Sequence, residues 1–382
     1  MDWHLECSAC GTTAPPAGLP TVCQCGQPWL VRYPSRRPDP AERAAVARER
    51  GMWRFRSFLP LLPGEQPVSL GEGDTPLLAV PRIGERIGLP RLLVKDEALN
   101  PTGSFKARGL AAAITRAVIG GARAFTLPTA GNAGVAAAAY GARAGVPVRV
   151  YAPRSTPATI LAQIRTTGAD LHLLEGHIGD CGKASRAWAA ESGAFDLSTL
   201  REPYRIEGKK TLGLELAEQL EWKLPDAIIY PTGGGTGLIG MWKVFQELLQ
   251  AGWISGALPR MYTVQASGCA PVVKSFAEGK DRCEPWPDPQ TIAAGLRVPG
   301  PLGDRLMLEA LRESGGGAIA VSDSALAEAA ATGGRLEGID FAPEGGAAIA
   351  AARELARAGT LSPTDQVVVF NTGAGWLYRE PS

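Results

Sequence analysis

The sequence predicts an α/β protein built on parallel sheets. Short apolar runs recur along the chain, each is followed by a loop rich in glycine or polar residues, and a helix-like segment comes next. Buried strands that alternate with helices are typical of parallel sheets covered on both faces. About eight such runs lie beyond residue 75, which is too many for one compact sheet. We therefore expect two doubly wound parallel-sheet lobes with a ligand cleft between them.

The predicted strands can be placed one by one from their apolar runs. They lie at 92–94, 124–127, 148–151, 171–174, 227–230, 261–264, 318–321 and 367–370. Helix-like segments between them include 134–144, 238–250 and 324–333. Ligands of such sheets bind where strands end and helices begin. The loops that follow the strands are therefore the expected functional site.

The amino-acid composition indicates which kinds of binding partner to expect. The chain has 382 residues, 45% of them hydrophobic, and 39 basic residues nearly balance 38 acidic ones. This balance favours neither nucleic acid nor an anionic membrane as a partner, so we expect a small-molecule substrate. We expect no signal peptide and no membrane span, because the N-terminus lacks the charged and apolar regions and the longest uncharged stretch contains Pro, Asn and Gly. The expected location is cytoplasmic.

The first 34 residues form a distinct cysteine-rich unit. Two residues separate Cys7 from Cys10, and one residue separates Cys23 from Cys25. Paired thiolates on two turns are typical of a structural zinc ribbon, while the shorter second gap leaves open a ribbon without metal. We predict a linker at 35–70 and a catalytic region at 71–382, whose smaller lobe, about 110–200, is inserted in the larger one.

Lys106 ends the segment Asn100-Pro-Thr-Gly-Ser-Phe-Lys106, where a helix is predicted to begin. A cation in the first turn of a helix opposes the macrodipole, which disfavours the charged form, and partial burial acts in the same direction. A neutral amine at this position is a nucleophile suited to forming a Schiff base. A surface lysine at a helix start is the other reading of the same position.

The loop 231–237 contains three consecutive glycines between a strand and a long helix. Consecutive glycines allow backbone amides to converge on a phosphate, helped by the helix N-terminus. Gly235, Gly237 and Gly240 also satisfy the dinucleotide spacing, but the next strand ends Val-Gln-Ala-Ser without the acidic residue that would bind a ribose. We therefore favour a phosphate cradle over a dinucleotide site, and a tight structural turn stays open.

Two further loops present polar side chains at strand ends. Asn132 follows the strand at 124–127, and it suits a carboxylate, a ring hydroxyl or simply a helix cap. Thr372 follows the last strand, in a glycine-rich turn. Its hydroxyl could form one hydrogen bond to a ligand nitrogen, or the turn could have no ligand. A pyridoxal phosphate site needs four groups, which these loops supply together: an amine, a polar Asn loop, a phosphate cradle and a terminal hydroxyl.

These motifs identify a resemblance. The chain resembles the fold type II (tryptophan synthase β-like) pyridoxal phosphate enzymes, and within them the threonine synthases. The resemblance covers about residues 65–380 and rests on Asn100–Lys106, Gly131–Asn132, Pro203–Thr211, Gly233–Gly237 and Thr372–Gly373. It implies a homodimer, pyridoxal 5'-phosphate as cofactor, and an amino acid as substrate.

The resemblance also implies roles for individual residues. Lys106 would be the Schiff-base lysine, and it would move protons between Cα and Cβ of the substrate. Asn132 would contact the ring 3-oxygen, and Thr372 would face the pyridine nitrogen. The cofactor phosphate would be held by the amides of Gly233, Gly234, Gly235, Thr236 and Gly237. The substrate carboxylate would be bound by Thr129, Ala130 and Gly131, and Arg205 would bind the substrate phosphate, unless it forms a salt bridge instead.

The expected reaction of this family is the conversion of O-phosphohomoserine and water to threonine and phosphate. The sequence departs from the usual family pattern by Ala107, Ala130 and Ala133, by Ser198–Glu202 before Pro203, and by Thr372-Gly-Ala-Gly. Fewer donors at the substrate sites are compatible with a different or smaller substrate, but no gained residue identifies one, so the threonine synthase reaction stays the leading expectation. The alternative is a serine/threonine dehydratase-like β-eliminase or a β-replacement enzyme. A catalytically silent relative is a third reading, against which the retained Lys106 and cofactor loops argue.

Overall fold

The structure, a computed structural model, describes residues 3–34, 37 and 39–379, and the side chain of Pro40 lies outside this description. The three predicted segments 1–34, 35–70 and 71–382 each include residues outside it. These are residues 1–2, then 35, 36 and 38, then 380–382. The boundaries of these segments stay predictions.

The described residues form strands and helices that we number in chain order. The strands are β1 (His4–Cys7), β2 (Thr13–Ala14), β3 (Trp29–Arg32), β4 (Leu77–Ala79), β5 (Leu92–Asp96), β6 (Phe125–Pro128), β7 (Val148–Pro153), β8 (Asp170–Leu174), β9 (Phe195–Asp196), β10 (Ala227–Pro231), β11 (Arg260–Ala266), β12 (Gly317–Val321) and β13 (Val367–Asn371). The helices are α1 (Pro40–Arg48), α2 (Pro81–Ile87), α3 (Lys106–Ile119), α4 (Asn132–Ala144), α5 (Ala158–Thr166), α6 (Ile178–Ser192), α7 (Tyr204–Gln219), α8 (Thr236–Gln250), α9 (Pro271–Ala277), α10 (Asp304–Glu313), α11 (Asp323–Glu337) and α12 (Pro343–Arg357).

The chain divides into two compact units. The first contains residues 1–74, 100–211 and 379–382, and the second contains 75–99 and 212–378. The helix α7 runs through the boundary at residues 211 and 212, so its first half belongs to the first unit and its second half to the second.

The first unit contains two sheets. An antiparallel sheet of order β2-β1-β3 pairs Leu5 with Val31, and both side chains are buried with Trp3 and Tyr204. A second sheet of order β8-β7-β6-β9 is parallel throughout. Its central strands are apolar because α4 and α6 pack against them, which is the burial that a parallel sheet requires.

The second unit is built on one six-stranded sheet of order β12-β11-β10-β13-β5-β4. Five strands are parallel, and β4 is an antiparallel edge strand that pairs Leu78 with Val94. The strands β10 and β13 are neighbours at the centre, and all of their residues are buried. Their carboxyl ends therefore lie side by side at one edge of the sheet.

The predicted α/β class is confirmed, and so is each predicted strand. All eight apolar runs are parallel strands of the two larger sheets, and the three predicted helical segments lie within α4, α8 and α11. The antiparallel edge strand β4 was not predicted, because three residues give too little alternation to recognise. In the part of the chain that the structure describes, no helix has both the length and the apolar character needed to cross a bilayer.

Candidate active site

Lys106 is the first residue of α3, as predicted. The preceding loop turns sharply, because Thr102 and Gly103 both have left-handed backbones, with φ of 67° and 69°. The Gly103 amide donates to the carbonyl of Asn100 at 2.9 Å and closes this turn. The Lys106 side chain is half-buried, and its Nζ lies 4.5 Å from the centroid of the Phe105 ring. The loop therefore delivers a partly shielded amine at a helix N-terminus.

A second lysine lies on the same aromatic ring. Lys209 of α7 is fully buried, its Nζ lies 3.8 Å from the Phe105 ring centroid, and it donates to the Phe105 carbonyl. Sequence reasoning missed this residue, although it lies within the segment that carries the family resemblance. The sequence feature that could have identified Lys209 is a pair of glycines, Gly109 and Gly208, whose lack of side chains lets α3 and α7 pack closely. A Cβ on Gly208 would overlap the carbonyl of Arg108, and one on Gly109 would lie 2.8 Å from Lys209 Cε.

The loop after β6 is organised by the hydroxyl of Thr129. Thr129 Oγ1 donates to the Gly131 carbonyl at 2.8 Å and accepts from the amides of Gly131 at 3.1 Å and Gly134 at 3.0 Å. Thr129 is buried, so this hydroxyl shapes the loop rather than facing outward. Asn132 begins α4 directly behind it, whereas a Cβ on Gly131 would meet nothing within 4 Å. Ala130 and Gly131 thus form the open side of the loop.

Arg205 is a buried residue of the first turn of α7. Its guanidinium donates to the Leu197 carbonyl and to Thr199 Oγ1 at 3.1 Å, and its Nε lies 3.5 Å from Glu202 Oε1. Burial lowers the pKa of the Arg205 guanidinium and raises the pKa of the Glu202 carboxyl. A guanidinium carries five N–H donors, so these contacts leave capacity for one anion. An anion bound there would replace or join the partners that the protein already supplies.

The glycine loop of the second unit has the form of an anion cradle. Gly235 has a φ of 79°, and α8 begins at the next residue, Thr236. Among the described residues, no acceptor pairs with the amides from Gly233 to Leu238. Unpaired amides at a helix N-terminus are the donors that a phosphate needs. Added side chains are not tolerated here, because a Cβ would overlap Met307 at Gly235 and the Tyr230 hydroxyl at Gly237.

Thr372 lies beside this cradle at the same sheet edge. It follows β13, is 5% exposed, and comes directly after Asn371. The Asn371 side chain is fixed at both ends, since Nδ2 donates to Asp96 Oδ1 at 2.9 Å and Oδ1 accepts from the Ala342 amide at 3.2 Å. Because β10 and β13 are parallel neighbours, the cradle and Thr372 follow strands that end at the same edge of this sheet.

The four N-terminal cysteines converge on one point. Their Sγ atoms all lie within 4.8 Å of one another, with Cys7 and Cys25 3.4 Å apart and Cys10 and Cys23 3.7 Å apart. Hydrogen bonding with Thr12 lowers the pKa of Cys10 to about 6, so this thiol ionises readily. Four thiolates at this separation are a suitable ligand set for one tetrahedral zinc ion.

Each unit therefore offers part of what pyridoxal phosphate requires. The second unit has free amides for a phosphate and a hydroxyl one strand away, and the first has a half-buried amine at Lys106. The donor chemistry fits the cofactor that the motifs predict.

Comparison with known proteins decides the family. The pattern of the pyridoxal-phosphate dependent enzymes matches residues 68–373. The chain belongs to this family. It is 36% identical over 331 residues to threonine synthase of Methanosarcina acetivorans, covering 86% of this chain and 80% of the relative. It is 33% identical over 373 residues to threonine synthase of Methanocaldococcus jannaschii, covering 97% of this chain and 92% of the relative.

A solved structure carries the same fold. The processed form of threonine deaminase isoform 2 from Solanum lycopersicum matches with a TM-score of 0.69 and 20% identity, over 93% of this chain and 95% of that one. This pyridoxal-phosphate-dependent enzyme thus has the fold type II architecture. The predicted family, enzyme class and principal cofactor are confirmed. The roles of the individual site residues stay predictions.

Proposed function

We propose that this enzyme is a threonine synthase, which converts O-phosphohomoserine and water to threonine and phosphate. The observation that carries the proposal is the extent of the match to relatives bearing that name. The M. jannaschii relative aligns with 97% of this chain, and the M. acetivorans relative is 36% identical over 331 residues. Family membership alone supports only the cofactor class, so the reaction rests on these relatives.

Residues of three loops hold the cofactor in this proposal. The amides of Gly233, Gly234, Gly235, Thr236 and Gly237 bind its phosphate, Asn132 its ring oxygen, and Thr372 its ring nitrogen. Bound pyridoxal phosphate supplies an electron sink for negative charge developed at the substrate Cα. A neutral hydroxyl such as that of Thr372 leaves the ring nitrogen unprotonated, which favours elimination and replacement over transamination.

Lys106 is the proton carrier in this proposal. Its Nζ takes a proton from the substrate Cα and one from Cβ before the phosphate leaves Cγ, and protons return to Cγ and Cα while water adds at Cβ, because an amine at the end of a four-carbon stem reaches along the substrate chain. Its half-buried place at the N-terminus of α3, beside the Phe105 ring, supports this role, since it shields the amine partly from bulk water.

The substrate ends are assigned to the first unit. The loop of Thr129, Ala130 and Gly131 binds the carboxylate through N–H donors, and Arg205 binds the phosphate that leaves. The open side of the loop at Gly131 supports the first assignment. The spare donors of the Arg205 guanidinium support the second, although its buried contacts with Leu197 and Glu202 mean that the phosphate has to enter an occupied environment.

The second candidate is a β-eliminase or β-replacement enzyme that resembles the serine/threonine dehydratases. One observation favours it. The only side-chain hydroxyl in residues 129–133 belongs to Thr129, and its hydrogen bonds to Gly131 and Gly134 stabilise the turn instead of binding a substrate. A comparison of kcat/KM for O-phosphohomoserine, serine and threonine tests the two candidates. A value for O-phosphohomoserine at least about a hundredfold above both unphosphorylated amino acids supports threonine synthase; the reverse order supports the dehydratase.

The N-terminal cysteines are assigned to a structural zinc ion in a ribbon-like unit of residues 1–34. Four protein ligands would leave no position for a substrate, so the role is structural. The sulfur separations given above support this assignment, and metal analysis of the purified protein tests it. The resemblance further supports a homodimer, and light scattering of the purified enzyme measures this assembly.

A further inference from the structure

The first turn of α12 lies between the two cofactor-facing loops of the second unit. On one side the Ala342 amide donates to Asn371 Oδ1 at 3.2 Å, and Asn371 directly precedes Thr372. On the other side the helix presents Glu344, an acidic residue in its first turn, where the helix dipole favours a negative charge. This turn is therefore placed to control both loops.

The Glu344 carboxylate is buried and accepts a hydrogen bond from the neighbouring turn that contains Gly295. It is 4% exposed, and its Oε1 accepts from the Gly295 amide at 2.7 Å and from the Tyr378 hydroxyl at 2.9 Å. Both donors converge on one oxygen, and hydrogen bonds to a charged acceptor are stronger than neutral ones. Glu344 thus fixes the backbone of Gly295 between α12 and the C-terminal Tyr378.

Gly295 in turn forms the back of the phosphate cradle. A Cβ on Gly233 would overlap the Gly295 carbonyl oxygen and lie 2.9 Å from Val298 Cγ2. The short 3₁₀ turn Ala294–Leu296 therefore packs directly on Gly233, the first glycine of the cradle. The backbones of Gly295 and Gly233 are in direct contact, so a shift of this turn would displace Gly233 or leave it without support.

We propose that Glu344 is a positioning residue for the cofactor phosphate. It holds Gly295 against Gly233, and so keeps the amides of the cradle in the arrangement that binds the phosphate. The proposal rests on the proposed role of Gly233–Gly237. It assigns Glu344 no contact with the cofactor.

The test compares two ligands of the apoenzyme, pyridoxal phosphate and pyridoxal, which differ only by the phosphate. Glu344→Ala removes both hydrogen bonds, and Tyr378→Phe removes one while it keeps the ring. We expect Glu344→Ala to weaken pyridoxal phosphate by about tenfold, Tyr378→Phe to weaken it less, and both to leave pyridoxal binding within about twofold. Glu344→Gln keeps an acceptor for Gly295 and should restore part of the affinity. Glu354→Gln, at the other end of α12, is the matched control.

A second readout uses the holoenzyme. The ³¹P resonance of the bound cofactor should shift or broaden in Glu344→Ala and stay unchanged in Glu354→Gln. Equal loss of affinity for pyridoxal and pyridoxal phosphate, or no loss at all, would overturn the proposal. Gly235→Ala separates this failure from failure of the cradle itself. If Gly235→Ala keeps full phosphate-dependent affinity, the proposed cofactor site is wrong; if it loses that affinity while Glu344→Ala does not, only the positioning role is wrong.

Discussion

Arg205 and Glu202 form an ion pair that is closed off from solvent. Arg205 Nε lies 3.5 Å from Glu202 Oε1, and both side chains are at most 2% exposed. Glu202 Oε2 also accepts from the amides of Tyr204 and Arg205, at 2.7 and 3.0 Å, and so caps the N-terminus of α7. The residue assigned to substrate phosphate is thus also part of the structure that starts this helix.

Replacing Arg205 should therefore cost stability as well as activity. Arg205→Gln leaves the Glu202 carboxylate buried without its partner, which typically costs about 3 kcal/mol. We expect the free energy of unfolding in urea, followed by circular dichroism, to fall by roughly this amount. Glu202→Gln keeps the cap but removes the charge, so the double variant should be more stable than the sum of the two single changes indicates. Strict additivity would show that the two groups do not interact.

Lys106 should carry the visible absorbance of the holoenzyme. Lys106→Ala removes the only amine that the site proposal assigns to the cofactor aldehyde, so we expect the absorbance band to be lost when pyridoxal phosphate is added. Lys183→Ala, an exposed lysine of α6, is the control and should keep the band. Persistence of the band in Lys106→Ala would transfer the role to another amine, and Lys209, 3.8 Å from the same Phe105 ring, would be the first to examine.

Gly235 should be irreplaceable for cofactor binding. Its φ of 79° costs a residue with a Cβ roughly 1–2 kcal/mol, and the added methyl would also overlap Met307. We expect Gly235→Ala to raise the Kd for pyridoxal phosphate by more than about tenfold, measured by absorbance titration of the apoenzyme. Gly279→Ala is matched in backbone, with φ of 68°, but its Cβ would meet nothing within 4 Å. Similar affinity in the two variants would show that the cradle does not hold the phosphate.

The cysteine cluster should show a pH-dependent reactivity that zinc suppresses. The thiolate is the nucleophile, so a pKa of about 6 makes Cys10 mostly reactive at pH 7 in metal-free protein, and its alkylation should fall by half near pH 6. Burial raises the pKa of Cys283 to about 11, so its alkylation should be slow at pH 7 and should rise steadily up to pH 10. Peptide mass spectrometry after iodoacetamide treatment measures both rates.

Zinc provides the control for that experiment. Added zinc should protect Cys10 while it leaves Cys283 unchanged, because a metal-bound thiolate is no longer free to react. An unchanged rate at Cys10 in protein that has been given zinc would argue for a ribbon without metal.

Local sequence signals predicted the strands and the loops but not the contacts between distant residues. The run at 227–230 and the glycines after it identify both a buried strand and a candidate phosphate cradle, because each depends on neighbours in the chain. Lys209 was missed because its contact with Phe105 spans 104 residues and depends on two helices meeting at Gly109 and Gly208. The one-residue gap between Cys23 and Cys25 suggested a poor ligand pair, whereas the fold brings their sulfurs together with Cys7 and Cys10.

The burial and ion pairing of Arg205 could not be predicted from the sequence either. The sequence marks it as a phosphate ligand through its motif, and nothing local indicates that its guanidinium is buried. Its partners Leu197 and Thr199 lie in the loop after β9, and a backbone carbonyl leaves no signal in a sequence. Burial and pairing of this kind depend on how α7 follows that loop.

The most direct test of the proposed threonine synthase activity is the reaction of the purified, pyridoxal-phosphate-loaded enzyme with O-phosphohomoserine, with threonine and inorganic phosphate measured in the same sample over time. We expect both products to appear at equal rates and in a one-to-one ratio, and Lys106→Ala to form neither. Absence of both products from an enzyme that retains the cofactor band, together with turnover of serine or threonine, would contradict the proposal.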